Sequence, residues 1–282
     1  MKKTTALLLI FPLVYTLSNA QQHSDKPFAI GVIDSLKSEL LQETRTLNIY
    51  LPQSYAYDTA ASYPVIYLLD GSADEDFIHI AGLVQFFNFP WINRFPESIV
   101  VGIANTNRKR DFTFPVDNLD FLKPLGFDKK SFPSYGGSAA FISFIGKELQ
   151  PYVARHYRTN TSQTLIGQSL GGLLAIEILL KHTNLFDTYI VLSPSLWWGK
   201  EALLNQVPDL SKIKSKPKVY LGVGNEGSTM VGDAQKLSTL LKKKAGDSAV
   251  IFDYLPHEDH ATIGHQAVYN AFRLLYPVKQ SK

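Results

Sequence analysis

The chain has 282 residues, 45% of them hydrophobic, and a formal net charge of +3 at pH 7. It contains no cysteine, which excludes disulfides, thiolate metal sites and a cysteine nucleophile. Two of its 28 basic residues and none of its 25 acidic residues lie in the first twenty positions, so the remainder carries 26 minus 25, or +1. The overall charge therefore gives no reason to predict a nucleic-acid partner.

The N-terminus has the order of regions found in a secretory signal peptide. Lys2 and Lys3 precede the apolar run Ala6–Leu17, and Ser18–Ala20 offers a small-x-small cleavage site. The apolar run is shorter than the roughly 20 residues of a spanning helix, although a permanent N-terminal anchor is the alternative. We expect a signal peptide over residues 1–20 and a single periplasmic or secreted domain over residues 21–282, with no membrane association after cleavage.

The predicted elements alternate between strand and helix. An antiparallel hairpin is predicted at Phe28–Ile33 and Thr46–Leu51, and two apolar runs, Pro64–Leu69 and Ser98–Ile103, are typical of strands buried on both faces. The elements predicted further along are helix Ala139–Tyr157, strand Thr164–Ile166, helix Leu170–His182, strand Thr188–Leu192, strand Lys218–Val223, helix Ala234–Lys244, strand Val250–Leu255 and helix His265–Leu275. This alternation predicts an α/β fold with a mostly parallel sheet and helices on both faces.

The segment Gly167–Gly172 lies between a predicted strand and a predicted helix. It contains the G-x-S-x-G pattern of a nucleophile elbow, in which small residues two before and two after the serine let strand and helix approach closely. The pattern also occurs by chance as a glycine-rich helix entry. Its position after a strand and before a helix favours Ser169 as a nucleophile, with the backbone N–H of Leu170 in the oxyanion hole.

A serine nucleophile requires a histidine base, which comes last in the chain in this fold. The candidates are His257, His260 and His265. His260 follows the strand that ends near Leu255 by a short loop and precedes the last predicted helix. This position favours His260 over its two neighbours.

The third member of a triad is a carboxylate that orients the histidine. Glu226 lies just after the strand Lys218–Val223, which is the expected place. Asp233 lies farther on, where it is expected to cap the helix from Ala234. Asp70 precedes the serine and so breaks the expected order. The loop that contains Asp70 is expected to supply a second oxyanion N–H, from Ser72 or alternatively from Gly71.

Several residues are candidates for substrate binding. Arg108 and Arg110 follow a strand end and would suit an anionic substrate, unless they belong to a solvated loop. Trp197 and Trp198 could stack on an aromatic or sugar group, although paired tryptophans more often fill a core. Residues 111–137 are rich in Phe, Pro, Tyr and Gly and are expected to form a lid or pocket wall. No cofactor or metal is predicted, since the histidines near the C-terminus lack helical H-E-x-x-H spacing.

Beyond these residues, the chain resembles the putative esterase family that includes esterase D and, more closely, the siderophore esterases acting on enterobactin-type trilactones. The resemblance runs from about Phe28 to Tyr276. The stretches that carry it are Val65–Gly71, Arg110–Asp111, Lys147–Tyr152, His156–Arg158, Gly167–Gly172, Ser193–Trp198 and Glu258–His260. It implies the α/β-hydrolase fold and the catalytic pair Ser169 and His260. It leaves the acid less certain, because siderophore esterases vary in whether a conventional acid completes the triad. The Phe112–Pro115 stretch departs from the family's shorter pattern after its Arg-Asp pair.

The function expected from these observations is ester hydrolysis through an acyl-enzyme on a small-molecule ester, with a siderophore trilactone as the substrate. Relatives that act as acetyl or feruloyl esterases or as acyltransferases share the same residues, so those activities are alternatives. A secreted ligand-binding protein with a degenerate site is the non-enzymatic alternative. The oligomeric state is left open.

Overall fold

The computed structural model describes residues 26–208, 210, 216–246 and 249–277. The expected signal peptide lies outside these residues. Within them, no helix combines the length and the apolar character that crossing a membrane requires.

Eight strands form one sheet in the spatial order β1-β2-β4-β3-β5-β6-β7-β8. The strands are β1 (Val32–Ser38), β2 (Glu43–Tyr50), β3 (Tyr63–Leu68), β4 (Ile99–Ile103), β5 (Thr159–Gln168), β6 (Thr188–Leu192), β7 (Lys218–Gly224) and β8 (Val250–Leu255). Strands β3 to β8 pair in parallel, whereas β1 and β2 pair antiparallel with each other and β2 pairs antiparallel with β4. The predicted α/β-hydrolase fold with an antiparallel N-terminal hairpin is confirmed.

Helices cover both faces of this sheet. They are α1 (Phe77–Asn88), α2 (Arg108–Asp111), α3 (Ser138–Phe144), α4 (Gln150–His156), α5 (Leu170–Lys181), α6 (Gly227–Ala245) and α7 (Ile263–Leu275), with a π-helical turn at Ile145–Leu149 and 3-10 turns at Gln53–Ala56, Asp120–Leu125, Lys129–Ser131 and Leu204–Gln206. Successive side chains of a strand point to opposite faces, so Val65 and Tyr67 join the core under α3, α5 and α6. Ile66 and Leu68 join a second core under α1 and α7.

The structure differs from the predicted elements in several places. The first strand begins at Val32 rather than Phe28, because the pairing register runs from Val32 opposite Ile49 to Ser38 opposite Glu43. Helix α1 lies in a segment for which no element was predicted. Helix α6 begins at Gly227, so Asp233 lies within it, and its prediction as an N-cap was wrong.

The turn of the β1–β2 hairpin is held by one carboxylate from the π-helical turn. Glu148 accepts hydrogen bonds from the N–H groups of Glu39 and Leu40, each at 3.0 Å, and from the hydroxyl of Ser38. A π-helical turn contains an extra residue and so changes the direction of the side chains that follow. The hairpin is thereby attached to the helical layer through polar contacts.

A buried charged cluster joins β2 to α2. Arg45 is 1% exposed and pairs with Asp111 and, at 2.5 Å, with Glu43. Its guanidinium carbon also lies 5.0 Å from the ring centroid of Phe141. Arg110 pairs with the same two acids, each at 2.7 Å. The cluster thus has two cations and two anions, and each charge has an opposite partner.

We expect the Arg45→Met variant to lose about 3 kcal/mol of unfolding free energy, because it removes one partner from buried carboxylates. Urea unfolding followed by tryptophan fluorescence measures this loss. Lys37→Met, which removes an exposed cation from the neighbouring strand β1, is the matched control and should change the value by less than about 0.5 kcal/mol. Equal stability of the two variants would show that Arg45 makes no net contribution to stability.

Asp233 provides a test of pH-dependent stability. Burial, together with the charge of Glu201, raises the pKa of Asp233 to about 6. The unfolded value is about 3.9, so the folded protein holds more protons between these pH values and its stability falls as the pH rises through this range. We expect Asp233→Asn to raise the unfolding free energy by about 1–3 kcal/mol at pH 8 and by much less at pH 4. A gain of equal size at both pH values would contradict the raised pKa of Asp233.

Candidate active site

The carboxyl ends of the parallel strands meet at one edge of the sheet, and the candidate residues lie in the loops at this edge. Ser169 follows β5, Glu226 follows β7 and His260 lies in the loop after β8. Ligands and reactive groups of open α/β sheets gather at this edge. Three residues that are far apart in sequence are therefore neighbours.

Ser169 has a backbone conformation that is rare for a residue with a side chain, with φ of +59° and ψ of −119°. Its N–H donates to the carbonyl of Leu192 at 3.0 Å, which attaches the turn to β6. A Cβ on Gly167 would lie 2.5 Å from the carbonyl oxygen of Gly171, so only glycine fits there. The sharp turn lifts the serine hydroxyl above the sheet edge, as a nucleophile elbow requires.

His260 lies between the serine and a carboxylate. Its Nε2 is 3.0 Å from Ser169 Oγ, and its Nδ1 is 2.5 Å from Glu226 Oε2. Of the other two candidate histidines, His257 is exposed and His265 contacts His79, with 2.6 Å between ring nitrogens. The structure brings only His260 of the three to the serine.

The side chain of Glu226 accepts hydrogen bonds from residues at the strand ends as well as from the histidine. Its Oε1 accepts from the N–H of Gly224 at 3.0 Å and from the hydroxyl of Ser193, and its side chain is 4% exposed. Burial alone would raise its pKa, but hydrogen bonds from His260, Ser193 and Gly224 and the positive charge of His260 together lower it below the ordinary value. The carboxylate is therefore ionised at neutral pH and can stabilise an imidazolium.

The other two carboxylate candidates lie elsewhere. Asp233 is buried within α6, and Asp70 accepts two hydrogen bonds from Arg108, at 2.6 and 2.8 Å. Neither accepts a hydrogen bond from the imidazole of His260, whereas Glu226 does. The geometry thus selects Glu226 from the three candidates.

The backbone N–H groups predicted to form the oxyanion hole have different surroundings. The N–H of Leu170 is at the first turn of α5, where backbone donors have no intrahelical acceptor. The N–H of Gly71 donates to Ile103 O at 3.1 Å, so this alternative donor already has a partner. Ser72 is not among the residues that line either cavity beside Ser169. Leu170 is likewise absent from the lining of both cavities, so the oxyanion roles of Leu170 and Ser72 both stay predictions.

Ser169 and His260 separate two open cavities. We call the first, of about 670 Å³, the apolar cavity, because Leu125, Phe127, Trp197 and Met230 are among its lining residues. The second, of about 630 Å³, is lined in large part by ionisable side chains, and we call it the acidic cavity. Its lining residues are Asp70, Glu75, Asp76, His79, Arg108, Gln168, Ser169, His260, Ala261, Thr262, Gly264 and His265.

The two arginines predicted to bind substrate have different surroundings. Arg108 lines the acidic cavity and is 31% exposed, but it is paired with Asp70 through two hydrogen bonds. Arg110 lines neither cavity beside Ser169, because its guanidinium is paired with Asp111 and Glu43 in the charged cluster. The prediction that Arg110 contacts substrate was wrong for this reason.

The two tryptophans predicted to bind substrate also lie in different environments. Trp198 is fully buried, and its indole N–H donates to Phe114 O at 2.9 Å, so it cannot reach a substrate, and that prediction was wrong. Trp197 lines the apolar cavity and stacks on Phe127, with ring centroids 5.1 Å apart. Part of the 111–137 segment, including Pro124, forms a wall of this cavity as expected.

Three residues at the site were not predicted. Ser193 donates to Glu226, Ser195 Oγ lies 3.3 Å from Ser169 Oγ, and Gln168 donates to the carbonyl of His260 at 2.6 Å. Each of these residues follows or ends a strand at the edge of the sheet where Ser169 lies. This position after a strand end was the sequence signal that could have identified them. Among the described residues, no group of three or more His, Asp or Glu side chains is arranged to hold a metal ion.

Comparisons with known proteins agree on one family. The ferri-bacillibactin esterase BesA of Bacillus subtilis is 32% identical over 188 residues, which are 62% of this chain and 62% of BesA. The chain thus spans less than two thirds of that relative's length. An IroE-like serine hydrolase from Shewanella oneidensis is 32% identical with a TM-score of 0.78, covering 87% of this chain and 80% of that one. The BES protein from Bacillus cereus is 28% identical with the same TM-score, covering 91% and 100%. A family profile described as putative esterase matches residues 38–275, and the chain belongs to this family.

Proposed function

We propose that the chain is a secreted or periplasmic serine hydrolase that cleaves carboxylic esters of a siderophore through an acyl-enzyme. The observation that carries the proposal is the continuous hydrogen-bonded relay from Glu226 through His260 to Ser169. A nucleophile, a base within hydrogen-bond reach and a carboxylate that orients the base are the parts that acyl transfer requires.

The first half of the reaction forms the acyl-enzyme. Ser169 Oγ attacks the ester carbonyl carbon and transfers its proton to His260 Nε2, while Glu226 stabilises the resulting imidazolium. The oxyanion of the tetrahedral intermediate accepts a hydrogen bond from the N–H of Leu170. The imidazolium then donates its proton to the leaving alkoxide as the ester C–O bond breaks.

The second half returns the enzyme to its starting state. His260 takes a proton from a water molecule, which attacks the acyl carbon and releases the acid as Ser169 regains its proton. A trilactone of the enterobactin type is the proposed substrate, because similar proteins are named as siderophore esterases. Acetyl or feruloyl ester cleavage and acyl transfer to an alcohol use the same residues, and a substrate panel with an added alcohol acceptor separates them.

The proposed location rests on the leader-like sequence of residues 1–20. Expression of the full chain in a Gram-negative host, followed by cell fractionation and N-terminal sequencing, tests it. A mature N-terminus near Gln21 in the periplasm supports the proposal. An uncleaved chain in the membrane fraction supports the anchor instead.

We expect Ser169→Ala to lower kcat/KM for 4-nitrophenyl acetate by about 10⁴-fold or more, because the variant lacks the hydroxyl that His260 can deprotonate. Labelling by a fluorophosphonate probe should disappear in the same variant. Ser162→Ala, at an exposed position near the other end of β5, is the control and should retain labelling and turnover. Persistent labelling of Ser169→Ala would refute the assignment, and ligand binding without any turnover by the wild type would favour the non-enzymatic alternative.

Glu226→Gln should lower kcat by about 10²–10⁴-fold with a smaller effect on KM. The neutral amide cannot stabilise the imidazolium, and its NH₂ group favours the wrong tautomer of the histidine. Steady-state kinetics of Glu226→Gln and of Asp233→Asn, which alters the competing candidate, give the comparison. A larger loss in Asp233→Asn than in Glu226→Gln would transfer the acid role to Asp233.

A further inference from the structure

We infer that the chain forms a two-fold homodimer in which the outer face of helix α1 packs against the same face of a second copy. The inference goes beyond ester hydrolysis and does not depend on it. Its basis is an apolar surface, on α1 and on the segments beside it, that the described part of the chain leaves exposed.

Helix α1 contains no Asp, Glu, Lys or Arg. Its inner face, which includes Ile80, Val84 and Phe87, packs into the second core. Its outer face nevertheless exposes Ile78 and Phe86 rather than charged side chains. A helix on the surface of a soluble protein ordinarily carries polar residues on its outer face, and a helix that is apolar all round is ordinarily buried. The outer face of α1 therefore has the composition of a covered surface.

The exposed apolar surface continues beyond the end of the helix. The ring centroid of Phe89 lies 6.1 Å from that of Phe86, and Trp91 stacks on Phe89 with 4.8 Å between centroids. Phe28, from the segment before β1, lines the same groove as Ile78 and Phe89. We call this continuous surface the α1 patch. Its members are Phe28, Ile78, Gly82, Phe86, Phe89 and Trp91.

The α1 patch is large enough for a stable dimer. Phe28 is 90% exposed, Trp91 78% and Phe86 40%. Since an aromatic side chain can bury roughly 150–250 Å², these three alone offer about 400 Å². Each partner of a standard interface buries about 800 Å², and Ile78 and Phe89 supply part of the remainder. Exposed apolar patches of several hundred Å² mark interaction surfaces.

The α1 patch combines a groove with a projecting side chain. The groove has a volume of about 490 Å³, and Phe28, Ile78, Gly82 and Phe89 are among its lining residues. Trp91 stacks on Phe89 at the border of this groove and exposes most of its own surface. A two-fold interface uses the same patch on both subunits, so a projection of one copy can enter the groove of the other. These features favour a second copy as the occupant.

Gly82 indicates that the partner comes close to the backbone of α1. It lies in the middle of the helix, where glycine is less favourable than alanine. A Cβ at this position would meet no atom within 4 Å, so no packing within the described chain requires a glycine there. A bare backbone at the centre of an exposed face allows a second helix to approach closely.

The charges beside the α1 patch are also complementary to a copy of themselves. Arg94 is exposed just after the patch, and its N–H donates to Phe87 O at 3.1 Å. Glu97 lines the groove. Among the described residues, neither Arg94 nor Glu97 forms an ion pair. In a two-fold dimer, Arg94 of each copy can pair with Glu97 of the other, which gives two equivalent ion pairs.

A lipid surface fits the α1 patch less well than a second copy does. Helices that lie on membranes carry Lys and Arg on their polar face, which attract anionic lipids. Helix α1 has neither, and His79 is its one ionisable residue. A lipid surface also gives no reason for a glycine at position 82.

Sedimentation velocity of the purified protein, expressed from the full sequence, tests the inference. We expect a dimer with a Kd below about 10 µM. A monomer at about 100 µM would overturn the inference. If that monomer co-sedimented with phosphatidylcholine–phosphatidylglycerol vesicles, the α1 patch would be a membrane-contact surface instead.

The variant Gly82→Gln tests whether α1 is the interface. The new side chain enters open space in the monomer but blocks a second helix, so we expect the Kd of the dimer to rise by at least about 30-fold. The urea midpoint of the monomer should be unchanged or higher, because glutamine favours helix over glycine. Gly232→Gln, in α6 on the other face of the sheet, is the matched control because a Cβ there also meets nothing within 4 Å. Equal Kd values for the two variants would overturn the assignment to α1.

Charge reversal tests whether the partner is a second copy in two-fold symmetry. Arg94→Glu and Glu97→Lys each bring like charges together in a homodimer, and each should raise the Kd by about tenfold or more at low ionic strength. An equimolar mixture should recover the wild-type affinity, because each chain then meets opposite charges at both positions. Urea unfolding verifies that both variants fold. A mixture that associates no more tightly than the separate variants would overturn the two-fold arrangement.

Discussion

The backbone turn at Ser169 is the constraint on which the rest of the site depends. A residue with a side chain reaches this conformation at a cost of about 1–3 kcal/mol, so the surrounding structure must hold it there. Three features keep Ser169 in this conformation. They are the hydrogen bond to Leu192, the close approach of Gly167 to Gly171 and the burial of α5 on every side. A serine placed in this way cannot move without disturbing the centre of the sheet.

Much of the fold could be predicted because strands buried on both faces and their alternation with helices are properties of local sequence. Strand β6 and the start of β7 were located correctly, since their apolar runs are bounded by polar residues. Helix α1 was missed because its residues are apolar on most sides, so the sequence shows no clear helical period, although Asp76 at the N-cap was an available start signal. The hairpin was displaced because its register depends on pairing between strands.

The candidate catalytic residues were easier to predict than the residues around them. Chain order and the position after a strand end indicate which serine, acid and histidine can meet, and the structure brings Ser169, Glu226 and His260 together. Whether Trp198 faces a cavity or the core, and whether Arg110 is free or paired, depends on neighbours distant in sequence. Local sequence does not distinguish a buried tryptophan from one that lines a cavity, or a paired arginine from a free one, because each simply follows a strand end.

The contact between Glu148 and the hairpin turn has a consequence for the outer edge of the sheet. Strand β1 is the last strand on that side, and its exposed residues leave one row of backbone groups facing solvent. Sliding β1 by one residue against β2 would exchange its two faces, and little apolar burial opposes such a slip. The carboxylate of Glu148 accepts hydrogen bonds from Ser38, Glu39 and Leu40 in the observed register, and a slip would break them. Together with Asp34, which accepts hydrogen bonds from the hydroxyls of Tyr152 and Tyr157, it favours one register of this edge strand over the others.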